Sequence, residues 1–389
     1  MTKSLAEAMT HVHIYSPYWH TLGGGEKYMA QLASALASIP ATSVTLLTTE
    51  AISKESLEQY FGISLSKVGM EHVSDGTRGI ARHSAGADLL VYMSNFQHIR
   101  SHARKTVLLL QIPYPSITPL RVAARLLTGE LREGLKDIAR HRLMFSARAT
   151  VDLTIVYSRF VHDTLLRNFG IRSAILNPPI QDLLLKNVRK RNIVLSAGRF
   201  FRGLYNDKRY DILTKTFRSL SSSALKRWEY HIVGSCSDDA DSTIFLKELR
   251  RENEGFPVFF HVNETHTVLR RLYNEAKIFW HAAGFGSDDD RHPERMEHFG
   301  MTTVEAMSAG CVPVVINKGG QKEIVEHDAS GFLWNTLDEL ADYSARIARN
   351  EIPIAALRRQ ARQRFKHFSV KQFQSEAGRL FSPLLAGKP

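Results

Sequence analysis

The chain has 389 residues, 43% of them apolar and 23% charged, a balance that excludes a disordered or collagen-like chain and fits a globular protein. That length is about twice what one core fills, so two domains of roughly 180 residues each are expected. The net charge is +12, the two cysteines (Cys236 and Cys311) lack metal-ligand spacing, and there is no run of about 18 apolar residues to span a bilayer. The N-terminal stretch MTKSLAEAMTHVHIYSPYW lacks the apolar core of a signal peptide, and with the cysteine usage this gives the expectation of a cytoplasmic protein.

In chain order, HVHIYS (11–16) reads as a strand, and TLGGGEKYMAQLASALAS follows as a glycine-punctuated turn into a helix with Tyr28, Met29, Leu32 and Leu36 at helical spacing. Further strands are expected at 43–49, 87–94, 106–114 and 151–158, the last followed by a helix at 159–168. These are near-continuous apolar runs, as in parallel sheets buried on both faces. After SAILNPPI (173–180) the pattern restarts. Strands are expected at 192–200, 228–235, 258–263, 278–284 and 311–317, with helices over YDILTKTFRSL and at 302–310, and a helix followed by an extended segment at 320–334. The tail, 368–385, is an amphipathic helix.

Two successive alternating β/α blocks imply an α/β protein of two Rossmann-like, doubly wound domains, in which ligands bind beyond the carboxyl ends of the strands. The expected division is 1–185, 186–367 and a terminal helix 368–389, with a hinge near Asn177–Asn192.

Three groups of residues fall where such chemistry belongs. Gly23, Gly24 and Gly25 open the first helix, where glycines let backbone amides approach a phosphate or sugar; the plain alternative is a tight turn, with Glu26 favouring the helix dipole. Gly198-Arg199-Phe200 ends the first strand of the second block, and Lys208 follows; a guanidinium and an ammonium can clamp a diphosphate, or simply be solvated. Glu297 precedes His298-Phe299-Gly300-Met301, and a helix is expected from Thr302 with Glu305 near its start. Amides of Gly300, Met301, Thr302 and Thr303 could hold phosphate or sugar oxygens, and a carboxylate accepts two hydroxyl hydrogen bonds at once. An exposed loop acid and a first-turn acid are the alternatives for the two glutamates.

The nine residues EHFGMTTVE (297–305) resemble the E-x7-E signature of retaining glycosyltransferases of the GT-B type, in the family called GT4. VLSAGRFF with Lys208 resembles that family's G-R…K diphosphate site, TLGGGE its acceptor-side turn, and YSRF (157–160) and ILNPPI (175–180) its interdomain segments. WHAAGFG (280–286) is similar to the loop before the signature in the subgroup of the eukaryotic Alg11 mannosyltransferase. The matches run in order along nearly the whole chain.

The resemblance implies a GT-B fold, two domains facing across a cleft, an N-terminal acceptor domain, a C-terminal nucleotide-sugar domain and a terminal helix that crosses back. It implies transfer of a hexose from a nucleotide diphosphate sugar, GDP-mannose favoured and a UDP-sugar possible, to a glycan or lipid-linked acceptor, with anomeric retention. Glu297 is then the sugar-hydroxyl contact, Glu305 the ribose contact, and Arg199 and Lys208 stabilise the leaving diphosphate. No metal and no cofactor beyond the donor is expected. Many glycosidases retain configuration through a nucleophilic carboxylate, but a same-face route, with the departing phosphate helping to deprotonate the acceptor, fits this family better.

The chain departs from the pattern in three places. A histidine common in the family after the strand at 106–110 is here Gln111, His298 replaces a serine or glycine, and RGLYND is inserted between Arg199 and Lys208. Gln111 and His281 are carried as candidate substrate contacts.

Between Arg100 and Arg148 there are ten Lys/Arg and three acids, a net +7. The segment 119–145 is expected to form a helix with an apolar stripe of Val122, Leu126, Leu127, Leu131, Leu135, Ile138 and Leu143, a pattern suited to an anionic membrane surface on the inner face, or to an ordinary core-facing helix. No nucleic-acid module is present, so nucleic acid is not an expected partner. Two other functions stay open: a GT-B hydrolase or epimerase acting on a UDP-sugar, and a non-catalytic module binding anionic surfaces.

Overall fold

A computed structural model describes residues 9–202 and 207–386. The chain divides into two compact units, one of Met1–Pro179 with Lys371–Pro389 and one of Ile180–Val370. The division falls after Pro179, before the expected residue 185, because the backbone from Ile180 already belongs to the second unit. The Leu183 amide donates to Ser308 Oγ at 3.2 Å and the Leu185 amide to Asn274 Oδ1 at 2.8 Å.

The first unit is built on seven parallel strands: β1 (Thr10–Tyr15), β2 (Thr42–Thr48), β3 (Val68–His72), β4 (Leu89–Met93), β5 (Lys105–Leu110), β6 (Leu153–Val156) and β7 (Ala174–Ile175), in the order β3-β2-β1-β4-β5-β6-β7. In register, Ile14 of β1 faces Leu46 of β2 on one side and Val91 of β4 on the other. Helices on the sheet faces complete a core that includes Tyr15, Leu90, Tyr92, Leu108 and Leu143. The chain passes from β3 back across β1 to β4, so the winding reverses between β1 and β4. The terminal helix Val370–Leu385 adds Phe373 to this unit, its ring 5.3 Å from that of Tyr28.

The second unit has six parallel strands: β8 (Arg191–Ala197), β9 (Glu229–Gly234), β10 (Val258–Val262), β11 (Ala276–His281), β12 (Val312–Ile316) and β13 (Phe332–Trp334), in the order β10-β9-β8-β11-β12-β13. Here the winding reverses between β8 and β11, where Leu195 pairs with Phe279. Val194, Tyr230, Ile232, Ile278, Trp280 and Val314 form the centre of its core. Both sheets are the doubly wound kind the sequence implies.

Some expected elements are corrected. The strand at 106–114 stops at Leu110, because Pro113 and Pro115 cannot donate to a ladder. The single helix at 119–145 is two, Pro119–Leu127 and Leu131–Thr150, broken where Gly129 takes a positive φ of 83°. The expected stripe splits accordingly: Leu143 enters the core, while Leu127 is 87% exposed. Among the described residues no helix is long and apolar enough to cross a membrane.

Candidate active site

The second unit brings most of the candidate residues to the carboxyl ends of β8 and β11, its topological switch point, where such sheets leave a crevice. Gly198 directly follows β8 with φ 152°; a β-carbon there would lie 2.9 Å from Lys208 Cε and 3.1 Å from the Tyr210 hydroxyl. The missing side chain lets the Lys208 stem cross the strand end. Arg199 is exposed and makes no hydrogen bond or ion pair among the described residues. Residues 203–206 of the expected RGLYND insertion lie outside the described residues.

His281 is the last residue of β11, and Glu297 lies in the loop ahead of the helix Met301–Ser308. Lys208 Nζ is 2.5 Å from Glu297 Oε2, and His281 Nε2 is 2.9 Å from the same oxygen. Glu297 is 8% exposed and His281 3%. Burial alone would push the Glu297 carboxyl up. The Lys208 ammonium and the His281 ring outweigh it and hold it well below the usual carboxylate range. Burial pushes the His281 pKa down against the pull of Glu297, so the ring is neutral at pH 7. The alternative of an exposed loop acid at 297 is set aside: this carboxylate is buried and doubly hydrogen-bonded.

The loop holding Glu297 is clamped by a turn absent from the sequence-level site. The Gly320 amide donates to the Glu297 carbonyl at 2.8 Å, and a β-carbon on Gly319 would lie 2.9 Å from Met296 Cβ. The glycine pair in INKGGQ after β12 was the available signal. Gly300 caps the helix Met301–Ser308 with φ 119°, and a side chain there would press on Gln321 and Ile324. Gln321 is itself buried, and neither end of its amide finds a hydrogen-bond partner among the described residues. Phe299 turns its side chain into the interior, 5.5 Å from the Phe368 ring, so only its backbone faces the helix start.

Glu305 is corrected in position. The helix begins at Met301, which puts Glu305 in its second turn, and no acid lies in the first. The Tyr273 hydroxyl donates to Glu305 Oε2 at 2.9 Å, orienting the carboxylate. Tyr273 thus orients the site, while the buried Tyr210 hydroxyl lies beside Gly198 with no hydrogen-bond partner among the described residues; neither was legible as a site residue, since buried tyrosines read as core.

In the first unit, Gly23 caps the helix Gly24–Leu36 and its amide donates to Glu26 Oε2 at 3.0 Å. Glu26 is buried and also accepts from the Thr21 hydroxyl at 2.8 Å, so its role is to lock the turn as well as to face the helix dipole. The Gln111 side chain packs on the face of Gly25 where a β-carbon would stand, and its amide reaches Met93. The structure therefore joins Gly25 and Gln111, two of the candidate residues of the first unit.

Chemically, the second unit presents an exposed guanidinium, an ammonium paired with a buried carboxylate, and a helix start. That set suits a charged leaving group beside a hydroxylated ring. Among the described residues no group of three or more His, Cys, Asp or Glu is placed to share a metal ion.

Residues 185–365 match the family described as "Glycosyl transferases group 1". The chain is 26% identical over 246 residues to the GDP-Man:Man(3)GlcNAc(2)-PP-Dol alpha-1,2-mannosyltransferase of Dictyostelium discoideum, covering 58% of this chain and 45% of that protein. It is 24% identical over 213 residues to mannosylfructose-phosphate synthase of Agrobacterium fabrum, covering 50% and 43%. The chain thus spans somewhat under half the length of these relatives. Among solved structures, sucrose-phosphate synthase from Thermosynechococcus elongatus superposes with a TM-score of 0.71 at 18% identity, over 97% of this chain and 100% of that one. Residues 185–365, a little under half of the chain, are thus similar to glycosyl transferases group 1, and the two Rossmann-like units have the GT-B fold.

Proposed function

We propose that the protein is a retaining glycosyltransferase that moves a hexose from a nucleotide diphosphate sugar to a glycan or lipid-linked acceptor. The observation that carries this reading is the Lys208–Glu297–His281 cluster at the β8/β11 switch point, inside the matched family domain. Arg199 and Lys208 take the negative charge that grows on the leaving diphosphate. Glu297 holds hydroxyls of the transferred sugar, the amides from Gly300 to Thr302 add donors, and Glu305 holds the ribose. Gly23–Gly25 with Gln111 form the acceptor-side turn of the first unit. The charge stabilisation comes from side chains and the helix start, so turnover is expected to persist with a chelator present.

GDP-mannose is the favoured donor, because relatives of this chain are named as mannosyltransferases that use it. Incubation with GDP-mannose and UDP-sugars, followed by proton NMR of the product, tests the reading. A glycoside with the donor's anomeric configuration supports it. Free sugar or an epimer with no glycoside would place the protein among hydrolases or epimerases.

The acceptor is proposed to sit at an anionic lipid surface. The helices Pro119–Leu127 and Leu131–Thr150 expose Leu120 (80%), Leu127 (87%) and Phe145 (73%), together with Leu131 and Leu135. Exposed Arg132 and Arg142 belong to the same pair of helices. Large apolar side chains in water beside cations suit an interfacial seat.

A further inference from the structure

His281 has both ring nitrogens occupied inside the protein. The Ala283 amide donates to Nδ1 at 3.4 Å, so Nδ1 carries the lone pair and Nε2 carries the proton given to Glu297 Oε2. With the ring 3% exposed, the expected role as a substrate contact has no free edge to serve it. The question is why a buried carboxylate that already has an ammonium needs an imidazole on the same oxygen.

The answer lies in what each partner can do. Lys208 has a flexible stem and reaches the strand end that Gly198 leaves open. A diphosphate carries more charge than a carboxylate and draws that ammonium away. A buried carboxylate abandoned by its only cation becomes costly, and it takes a proton or turns. The imidazole is fixed by its own strand and by the Ala283 amide, and it cannot follow Lys208.

We propose that His281 is a positioning residue: its Nε2–H fixes the Glu297 carboxylate so that Lys208 can transfer to the donor diphosphate while Glu297 stays ionised and aimed at the sugar. This rests on the reading of the protein as a nucleotide-sugar transferase. The charged groups that face the ring are Glu297 and Lys208, from the two loops packed against β11. His298 and the buried Tyr210 hydroxyl also face this charge pair. The His298 Nε2 donates to the Glu294 carbonyl at 3.2 Å, so its ring is turned to the backbone.

The test compares wild type with His281→Phe, which fills the ring's space without a donor, and His281→Gln, which restores one. Donor affinity is read by calorimetry, and kcat and KM across pH 5.5 to 8.5. In His281→Phe, kcat is expected to fall about 100-fold, with KM nearly unchanged and the acid limb of kcat moved to higher pH. In His281→Gln most of the rate returns. Wild-type kcat in His281→Phe, or equal loss in both variants with no movement of the acid limb, overturns the inference.

If wild type binds no nucleotide sugar, the functional reading fails on its own. Thermal melting still decides the role of the ring. Lys208→Met must cost more in the His281→Phe background than in wild type, and strict additivity overturns the proposal.

Discussion

Lys208 and Glu297 stand 89 residues apart in the chain, and their charged atoms are 2.5 Å apart. The pair ties the segment after β8 to the loop before the helix Met301–Ser308, and each partner is mostly withdrawn from water. A buried pair of this kind is costly to break by halves.

Lys208→Met is expected to lower the turnover rate by about 100- to 1000-fold. It also leaves a buried carboxylate, so stability should fall by about 3 kcal/mol. Initial rates and urea unfolding measure the two effects separately, and an unchanged rate would remove Lys208 from the site.

Gly198→Ala places a methyl group against Lys208 Cε and Cγ at a backbone φ of 152°. The strain should cost about 2 kcal/mol, and Lys208 should be displaced. A variant that melts lower but keeps wild-type kcat would show that the position of the lysine is not set here.

The acid response follows from two depressed pKa values. Glu297 ionises more readily when folded than its ordinary value of 4.5, so its stabilisation is complete above that pH and is lost on acidification below it. His281 is depressed below 6.5, so from pH 6.5 downward the unfolded chain binds a proton that the folded ring refuses, and stability falls. In His281→Phe the loss that begins near pH 6.5 should shrink. Unfolding free energies between pH 7.5 and 4.5 check it; an identical slope in the variant would contradict it.

Asp137 is buried between Arg125 at 2.7 Å and Arg140 at 2.8 Å, and the Arg140 guanidinium lies over Phe96 and Tyr114. This triad pins the helix Leu131–Thr150 to the helix before it and to the loops that follow β4 and β5. Asp137→Ala is expected to destabilise by about 3 kcal/mol, visible as a lower urea midpoint.

Leu127→Glu with Leu131→Glu should abolish cosedimentation with vesicles containing phosphatidylglycerol, without changing the melting temperature, since both side chains already face water. High salt should weaken wild-type binding as well. Wild type that ignores such vesicles at low salt would refute the lipid seat.

The parallel sheets were legible because their central strands are near-continuous apolar runs, such as LLVYM (Leu89–Met93) and VPVVI (Val312–Ile316). The edge strands Val68–His72 and Ala174–Ile175 were not, since one is largely exposed and the other has two residues. Glu297, Arg199 and Lys208 stood out through motif spacing. The partnership of His281 with Glu297 did not, because spacing in the chain does not say which buried side chains share an oxygen. Gly319 and Gly320 carried a signal, a glycine pair after a strand, whose meaning depends on the loop they clamp.

The most direct measurement is calorimetric titration of the protein, without divalent metal, against GDP, UDP, ADP and their sugar conjugates, repeated with Arg199→Ala and Lys208→Met. Micromolar binding of one base series, weakened at least tenfold in each variant, is the expected result. Absence of binding throughout the panel, or binding that neither variant weakens, would contradict a donor site at the β8/β11 switch point.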